Sequence, residues 1–171
     1  MPLLRRDRTE SLPADVRLRA GLGRRDRVLA AARDDAGTWV IVGTGRLYAV
    51  PTVGEVLSRP LHLVDAGNWD QDNFTLTVTW VDGARPNQWV FTESMQVLAA
   101  FRERVQASVV IAEAVPVGGR RTARVVIRKD LEDGSVHDQT LLGPGVRLSD
   151  PGVDEAISAA RARLREQVGL D

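Results

Sequence analysis

The chain of 171 residues lacks cysteine, and its aromatic residues are only four tryptophans, one tyrosine and three phenylalanines. Without cysteine, thiol nucleophiles, disulfide frameworks and cysteine-ligated zinc sites are excluded. No window approaches the run of about 18 apolar residues that a membrane-spanning helix needs. A chain of this length buries about 70% of its unfolded surface on folding, so we expect it to fold without covalent staples.

Lysine is almost absent, since Lys129 is the only lysine among 23 basic residues, which balance 23 acidic ones. A balanced charge gives no whole-molecule field, so we expect neither specific nucleic-acid binding nor peripheral membrane contact. Arginine in place of lysine is typical of high-GC bacteria such as actinobacteria. The first residues lack the apolar run of a signal peptide, and the expected location is therefore cytoplasmic.

Charge is uneven only at the N-terminus, where residues 1–27 carry eight arginines against four acidic residues. A short helix is predicted in this arm, with Val16, Leu18 and Leu22 as its apolar contacts. Two interpretations stay open: a solvated or packed terminus, and a docking arm for anionic surfaces such as nucleic acid or membrane. The arginines of the second interpretation are Arg5, Arg6, Arg8, Arg17 and Arg19.

Short runs rich in β-branched and aromatic residues fill the stretch from Trp39 to Trp89, and each run is closed by Gly, Pro, Asn or Asp. Such close spacing leaves no room for crossover helices and predicts an antiparallel meander. Residues 75–80 alternate apolar and threonine side chains, as a strand with one buried face does. A strand is also expected from Leu61 through a bulge at 66–67 to Trp69.

Two helices are predicted after the meander. The first begins at Thr92 as N-cap and runs to about Val115, because apolar residues recur at spacings of three and four. Strands at 122–130 and 135–142 then form a hairpin, and Asp150 and Pro151 open the C-terminal helix.

The opening hairpin reads RVLAAA at 27–32 and GTWVIVGTGRLYAV at 37–50. Together with the meander and helix that follow, residues 28–115 resemble the pleckstrin-homology (PH) superfold, and within it the small bacterial PH-like and GRAM-like domains. The resemblance implies an α+β fold: an antiparallel β-barrel or roll closed by an amphipathic helix, with residues 116–171 as a ββα appendage. It also implies an adaptor role, since such domains bind peptides, lipids or other domains.

The chain departs from the PH pattern in two places, one in the helix and one in the loop that would contact a lipid headgroup. The helix has no tryptophan, so Phe101 has to fill that core position. The loop at 34–37 is Asp-Asp-Ala-Gly, whereas phosphoinositide binders place lysine or arginine there. An anionic headgroup would be repelled by these acids, which argues against lipid recognition of that kind.

The leading functional hypothesis is a non-catalytic adaptor that binds a protein partner or itself. Its motivation is the surplus of tryptophan in a small barrel, some of which can line a groove or an interface. The predicted binding residues are Trp69, its neighbours Asn68 and Asp70 at a strand end, and Trp89.

Catalytic, metal and cofactor sites are not expected from the sequence. His62 and His137 read as a packed strand histidine and a solvated strand end, and the acids near Asp70 lack the spacing of a calcium loop. The enzyme alternative is a hydrolase or transferase that uses His62 with Asp65 or Asp70.

Overall fold

The structure is a computed structural model that describes residues 11–24, 26–92 and 95–170. In chain order its elements are α1 (Ala14–Arg19), β1 (Val28–Arg33), β2 (Trp39–Gly43), β3 (Arg46–Val50), β4 (Leu57–Pro60), a 3₁₀ turn (Leu61–Leu63), β5 (Val64–Asp70), β6 (Thr75–Trp80), β7 (Asn87–Val90), α2 (Gln96–Ser108), β8 (Val109–Pro116), β9 (Thr122–Lys129), β10 (Val136–Leu142) and α3 (Val153–Gln167). No helix within these ranges is long and apolar enough to cross a membrane.

The strands form three antiparallel sheets, in the orders β1-β2-β3-β4, β5-β6-β7 and β10-β9-β8. This confirms the predicted α+β class with antiparallel pairing and a C-terminal helix. The alternating strand is confirmed as β6, whose Leu76, Val78 and Trp80 are buried while its threonines are half-buried. The sheets are separate and do not close into a barrel over the described ranges, so the PH-like barrel stays a prediction.

The helix predicted from Thr92 to Val115 is wrong at both ends. It begins at Gln96, after Met95 as N-cap, and the Thr92 hydroxyl instead donates a hydrogen bond to Asp35. It ends at Ser108, and 109–116 form β8. The apolar residues that open β8 are mostly β-branched and fit a strand, and β8 pairs with β9, the next strand in the sequence.

Two further boundaries differ from the sequence prediction. The strand expected from Leu61 begins only at Val64, because the 3₁₀ turn comes first. The C-terminal helix begins after Gly152, which adopts the left-handed conformation, and not at Asp150. The Asp150 carboxylate instead accepts a hydrogen bond from Arg121.

The first two sheets and α2 enclose the main core. Val97 and Phe101 of α2 are buried in it. The N-terminal segment adds a second cluster, in which Val16 and Leu22 are buried against the outer face of the first sheet. Leu18, predicted as a third contact, is 80% exposed, because it lies on the outer side of α1.

The C-terminal unit has its own core. Four apolar residues of α3 recur at spacings of three or four and are buried against β8 and β9: Val153, Ile157, Ala160 and Leu164. The opposite face of β9 presents Val126 and Arg128, both buried, toward the N-terminal part. The third sheet is therefore covered on both faces near its centre.

Gly67 of β5 gives a test of how tightly α2 docks. A Cβ at this position would lie inside the van der Waals contact distance of the buried Phe101 ring. Gly67→Ala is therefore expected to lower the free energy of unfolding by about 1–3 kcal/mol, as overpacking does. Urea denaturation of both proteins measures this.

Gly23→Ala is the matched control, because its added Cβ would meet only Asp26 Oδ2 at 3.5 Å and its φ is not positive. Its unfolding free energy should stay within about 0.5 kcal/mol of wild type. Equal stability of the two variants would show that α2 does not pack on β5 as described.

Candidate functional site

Arg128 joins the C-terminal sheet to the N-terminal part of the chain. Its side chain is buried, and its guanidinium donates hydrogen bonds to the carbonyl oxygens of Leu61 (3.1 Å) and Val64 (2.9 Å). The Leu61 carbonyl also accepts the Val64 N–H within the 3₁₀ turn, so Arg128 is a second donor to Leu61 and a side-chain donor to Val64. Burial lowers the pKa of Arg128, which nonetheless remains a cation at neutral pH.

The 3₁₀ turn carries His62, the better buried of the two histidines, at 6% exposure. Pro60 precedes the turn with φ −59°, and Gln139 of β10 donates a 2.7 Å hydrogen bond to the His62 carbonyl. The imidazole stacks on His137, with ring centroids 4.5 Å apart and planes inclined by 5°. Two residues distant in sequence therefore form one imidazole pair.

Asp130 lies beside this pair, at the start of the β9–β10 turn. Its Oδ2 is 3.4 Å from His62 Nδ1, while its Oδ1 accepts the N–H of Glu132 at 2.8 Å. Ser135 Oγ lies 2.9 Å from His137 Nε2, so the turn also orients the second ring. His62 Nδ1 is buried and has no hydrogen-bond partner among the described residues.

Burial favours the neutral form of His62 more than the surrounding charges oppose it. Burial lowers the pKa of His62, and the attraction of Asp130 only partly offsets it. Hydrogen bonds from Ser135 hold the pKa of the nearby Asp133 carboxyl below its usual range. A neutral imidazole next to two carboxylates offers a lone pair in a negative environment.

The donor atoms of His62, Asp130 and His137 all lie within 4.8 Å of one another. Within the described ranges this is the one group of three such side chains close enough to hold a metal ion. Two imidazoles and a carboxylate are ligands that transition metals accept. No spacing in the sequence indicates this group, because β9 and β10 bring His137 to the 3₁₀ turn only through the fold.

The residues of the predicted binding surface are only partly accessible. Trp89 is 6% exposed and belongs to the core, so it offers little surface to a partner. Trp69 is half-buried and contacts Phe74 edge-on, with ring centroids 6.5 Å apart. Asn68 is exposed, and Asp70 is half-buried at the turn after β5.

The predicted combination of His62 with Asp65 or Asp70 is not formed. Asp65 pairs with Arg124 at 3.4 Å. Asp70 accepts hydrogen bonds from the turn that follows it, including the Asn73 side chain at 2.7 Å, and these lower its pKa. The acid beside His62 is Asp130, which the sequence analysis did not select.

The arginine arm is described only from residue 11 onward, so Arg5, Arg6 and Arg8 lie outside the described residues. Arg17 donates hydrogen bonds to the carbonyls of Gly23 and Asp26, which fastens α1 to the following loop. Arg19 is exposed. The anionic-surface interpretation thus stays a prediction, and Arg17 has a structural role.

A small cavity lies between the N-terminal segment and the β9–β10 turn. Its lining includes Leu22, Tyr48 and Glu132, and it has a volume of about 50 Å³. Pockets for small ligands usually measure about 300–1,000 Å³. This cavity has room for a water molecule or two and is too small for a substrate.

No protein-family model, curated protein or solved structure matches the chain.

The two hydrogen bonds from Arg128 to the carbonyls of Leu61 and Val64 form a joint between β9 and the 3₁₀ turn that carries His62. Arg128→Met tests this joint. The substitution keeps the length of the side chain but removes the buried donor that Arg128 offers to the carbonyls of Leu61 and Val64, so the free energy of unfolding should fall by about 1–3 kcal/mol. Arg128→Lys restores a charge and a donor and should recover part of this loss. Urea denaturation measures all three proteins.

Arg120→Met is the control for loss of an arginine charge, because Arg120 is exposed. Its effect should stay within about 0.5 kcal/mol. An Arg128→Met protein as stable as the Arg120→Met protein would show that Arg128 does not hold the joint.

Proposed function

We propose that the chain is a non-catalytic interaction domain that binds a protein partner, or a second copy of itself, through the aromatic end of the β5–β6 hairpin. The observation that carries the proposal is Phe74. This residue is 45% exposed and has φ +50°, the only positive φ among the described residues other than glycine.

A phenylalanine in the left-handed region is uncommon, because its Cβ crowds the neighbouring carbonyl and costs about 1–2 kcal/mol. Glycine or asparagine would adopt this left-handed conformation at a lower cost in free energy, and an asparagine, Asn73, directly precedes Phe74. Such strain persists where the surroundings enforce it, and it is enriched at binding sites. An aromatic side chain kept in an unfavourable conformation and exposed to solvent is best explained by a contact outside the chain.

The turn is rigid enough to present this side chain. Asp70 Oδ1 accepts the backbone N–H groups of Asp72 and Asn73, and the Phe74 carbonyl accepts the N–H of Phe91 at 2.8 Å. The edge-on contact with Trp69 holds the ring from the other side. Aromatic anchors that are fixed before binding lose little entropy when a partner covers them.

The charges around the aromatic end indicate the chemistry of the partner. Asp70 and Asp72 flank it, and the turn 70–74 contains no basic residue. An apolar pocket with a basic rim would complement this surface. Under this proposal the chain is a cytoplasmic bacterial PH-like adaptor, in agreement with the resemblance of residues 28–115 to that superfold.

Phe74→Asn separates binding from folding. Asparagine tolerates the left-handed conformation, so relief of strain should offset the lost ring contact and leave the unfolding free energy within about 1 kcal/mol of wild type. Association should weaken at least about tenfold, as expected for an aromatic anchor. Sedimentation velocity over a concentration series measures self-association, and quantitative affinity capture with the purified domain measures partner binding.

Val53→Asn is the matched control, since Val53 is 88% exposed on a loop away from this hairpin and loses a similar apolar surface. It should associate like wild type. The proposal is wrong if Phe74→Asn also associates like wild type, or if the wild-type domain is a strict monomer that captures nothing.

A further inference from the structure

The distance between His62 Nδ1 and Asp130 Oδ2 does not suit a hydrogen bond. At 3.4 Å it exceeds the usual N–H···O range, and His62 Nδ1 makes no hydrogen bond in the described part of the chain. Two ligand atoms of a tetrahedral zinc ion, each about 2.0–2.1 Å from the metal, lie about 3.3 Å apart. The pair is therefore spaced as two ligands of one ion would be.

His137 provides a third donor on the exposed side of the cluster. Its ring lies parallel to that of His62, and one ion cannot lie in the planes of two parallel stacked rings. His137 is at the exposed end of β10, so its side chain can turn about its χ angles without disturbing the core. Metal binding would therefore unstack the two rings.

The surroundings orient the donors as those of a metal site usually do. The N–H of Glu132 holds Asp130 Oδ1 and leaves Oδ2 facing His62. Ser135 Oγ holds His137 Nε2 only in the stacked arrangement, so His137 is the one donor that has to turn. Hydrogen bonds of this kind from neighbouring groups orient metal ligands and raise affinity for the ion.

The donor types favour zinc over the hard cations. Imidazole nitrogen with one carboxylate suits zinc and its neighbours in the transition series, while calcium and magnesium prefer oxygen ligands throughout. Arg128 places a positive charge nearby, but Asp130 and Asp133 carry two negative charges on the same turn. The local charge thus remains favourable for a divalent cation.

We propose that His62, Asp130 and His137 bind a divalent transition-metal ion, best fitted by zinc, which fastens the β9–β10 hairpin to the 3₁₀ turn. Three protein ligands leave the fourth position of the ion for water. The ion adds a link across the joint that Arg128 already forms. This inference is independent of the proposed partner surface, which lies at the other end of β5.

The test uses the full chain without a histidine tag, because His62 and His137 are its only histidines. Chelator-treated protein is titrated with zinc in competition with an indicator dye. The expected result is one zinc ion per chain, bound at least about tenfold more weakly by His137→Gln and by Asp130→Asn. At a free zinc concentration 100 times the dissociation constant, the melting temperature of wild type should rise by about 5–10 °C.

Asp72→Asn is the matched control, since it removes one exposed carboxylate from a different turn. It should bind zinc like wild type. His137→Gln without metal should unfold at the same urea concentration as wild type, which separates loss of a ligand from loss of the fold.

A spectroscopic measurement tests the geometry directly. Addition of zinc should remove the mutual ring-current shifts of the two histidines in NMR spectra and slow amide exchange in the β9–β10 hairpin, while Co²⁺ should give the visible absorption of a four-coordinate site. The proposal is overturned if zinc does not bind stoichiometrically, if His137→Gln binds it like wild type, or if both histidine resonances stay unchanged.

Discussion

The fold depends on the buried guanidinium of Arg128. The carbonyls of Leu61 and Val64 at the 3₁₀ turn both accept hydrogen bonds from an arginine that comes more than 60 residues later in the chain. Burial of a cation is costly, and hydrogen bonds to two oxygens offset that cost only in this position. The geometry therefore fixes the C-terminal sheet relative to the N-terminal part, and with it the place of His62.

Close backbone contact reinforces the same joint. A Cβ on Gly45 would meet the Glu132 side chain and the backbone at 131–132, so the β2–β3 turn and the β9–β10 turn pack with no room to spare. Arg46 also pairs with Glu132 at 3.3 Å across this contact. A histidine pair of sequence-distant residues can persist only where both backbones are held in this way, and the joint holds them.

The sequence predicted what local pattern decides and missed what the tertiary fold decides. The alternation of 75–80 led to a correct strand, because it is a local pattern. Residues 109–116 were predicted as helix although they pair with β9, the next strand, because apolar spacing does not separate helix from strand in a short run. The short distance between His62 and Asp130 could not be predicted, since no local spacing encodes it. The positive φ of Phe74 could not be predicted either.

The two unusual features of the molecule lie at opposite ends of β5. The unpaired Nδ1 of His62 lies just before Val64, and the strained Phe74 follows the turn after Asp70. Seven residues of strand separate these ends by roughly 20 Å. Effects of changes at sites this far apart, with no shared contact, add rather than couple. Each end of β5 therefore has one local departure from the most stable arrangement, and the two are independent. The unpaired His62 Nδ1 faces the joint between the two parts of the chain, and the strained Phe74 faces solvent. Each departure lowers stability without improving the fold, and the two proposed sites, for a metal ion at the joint and for a protein surface at the hairpin, would account for them.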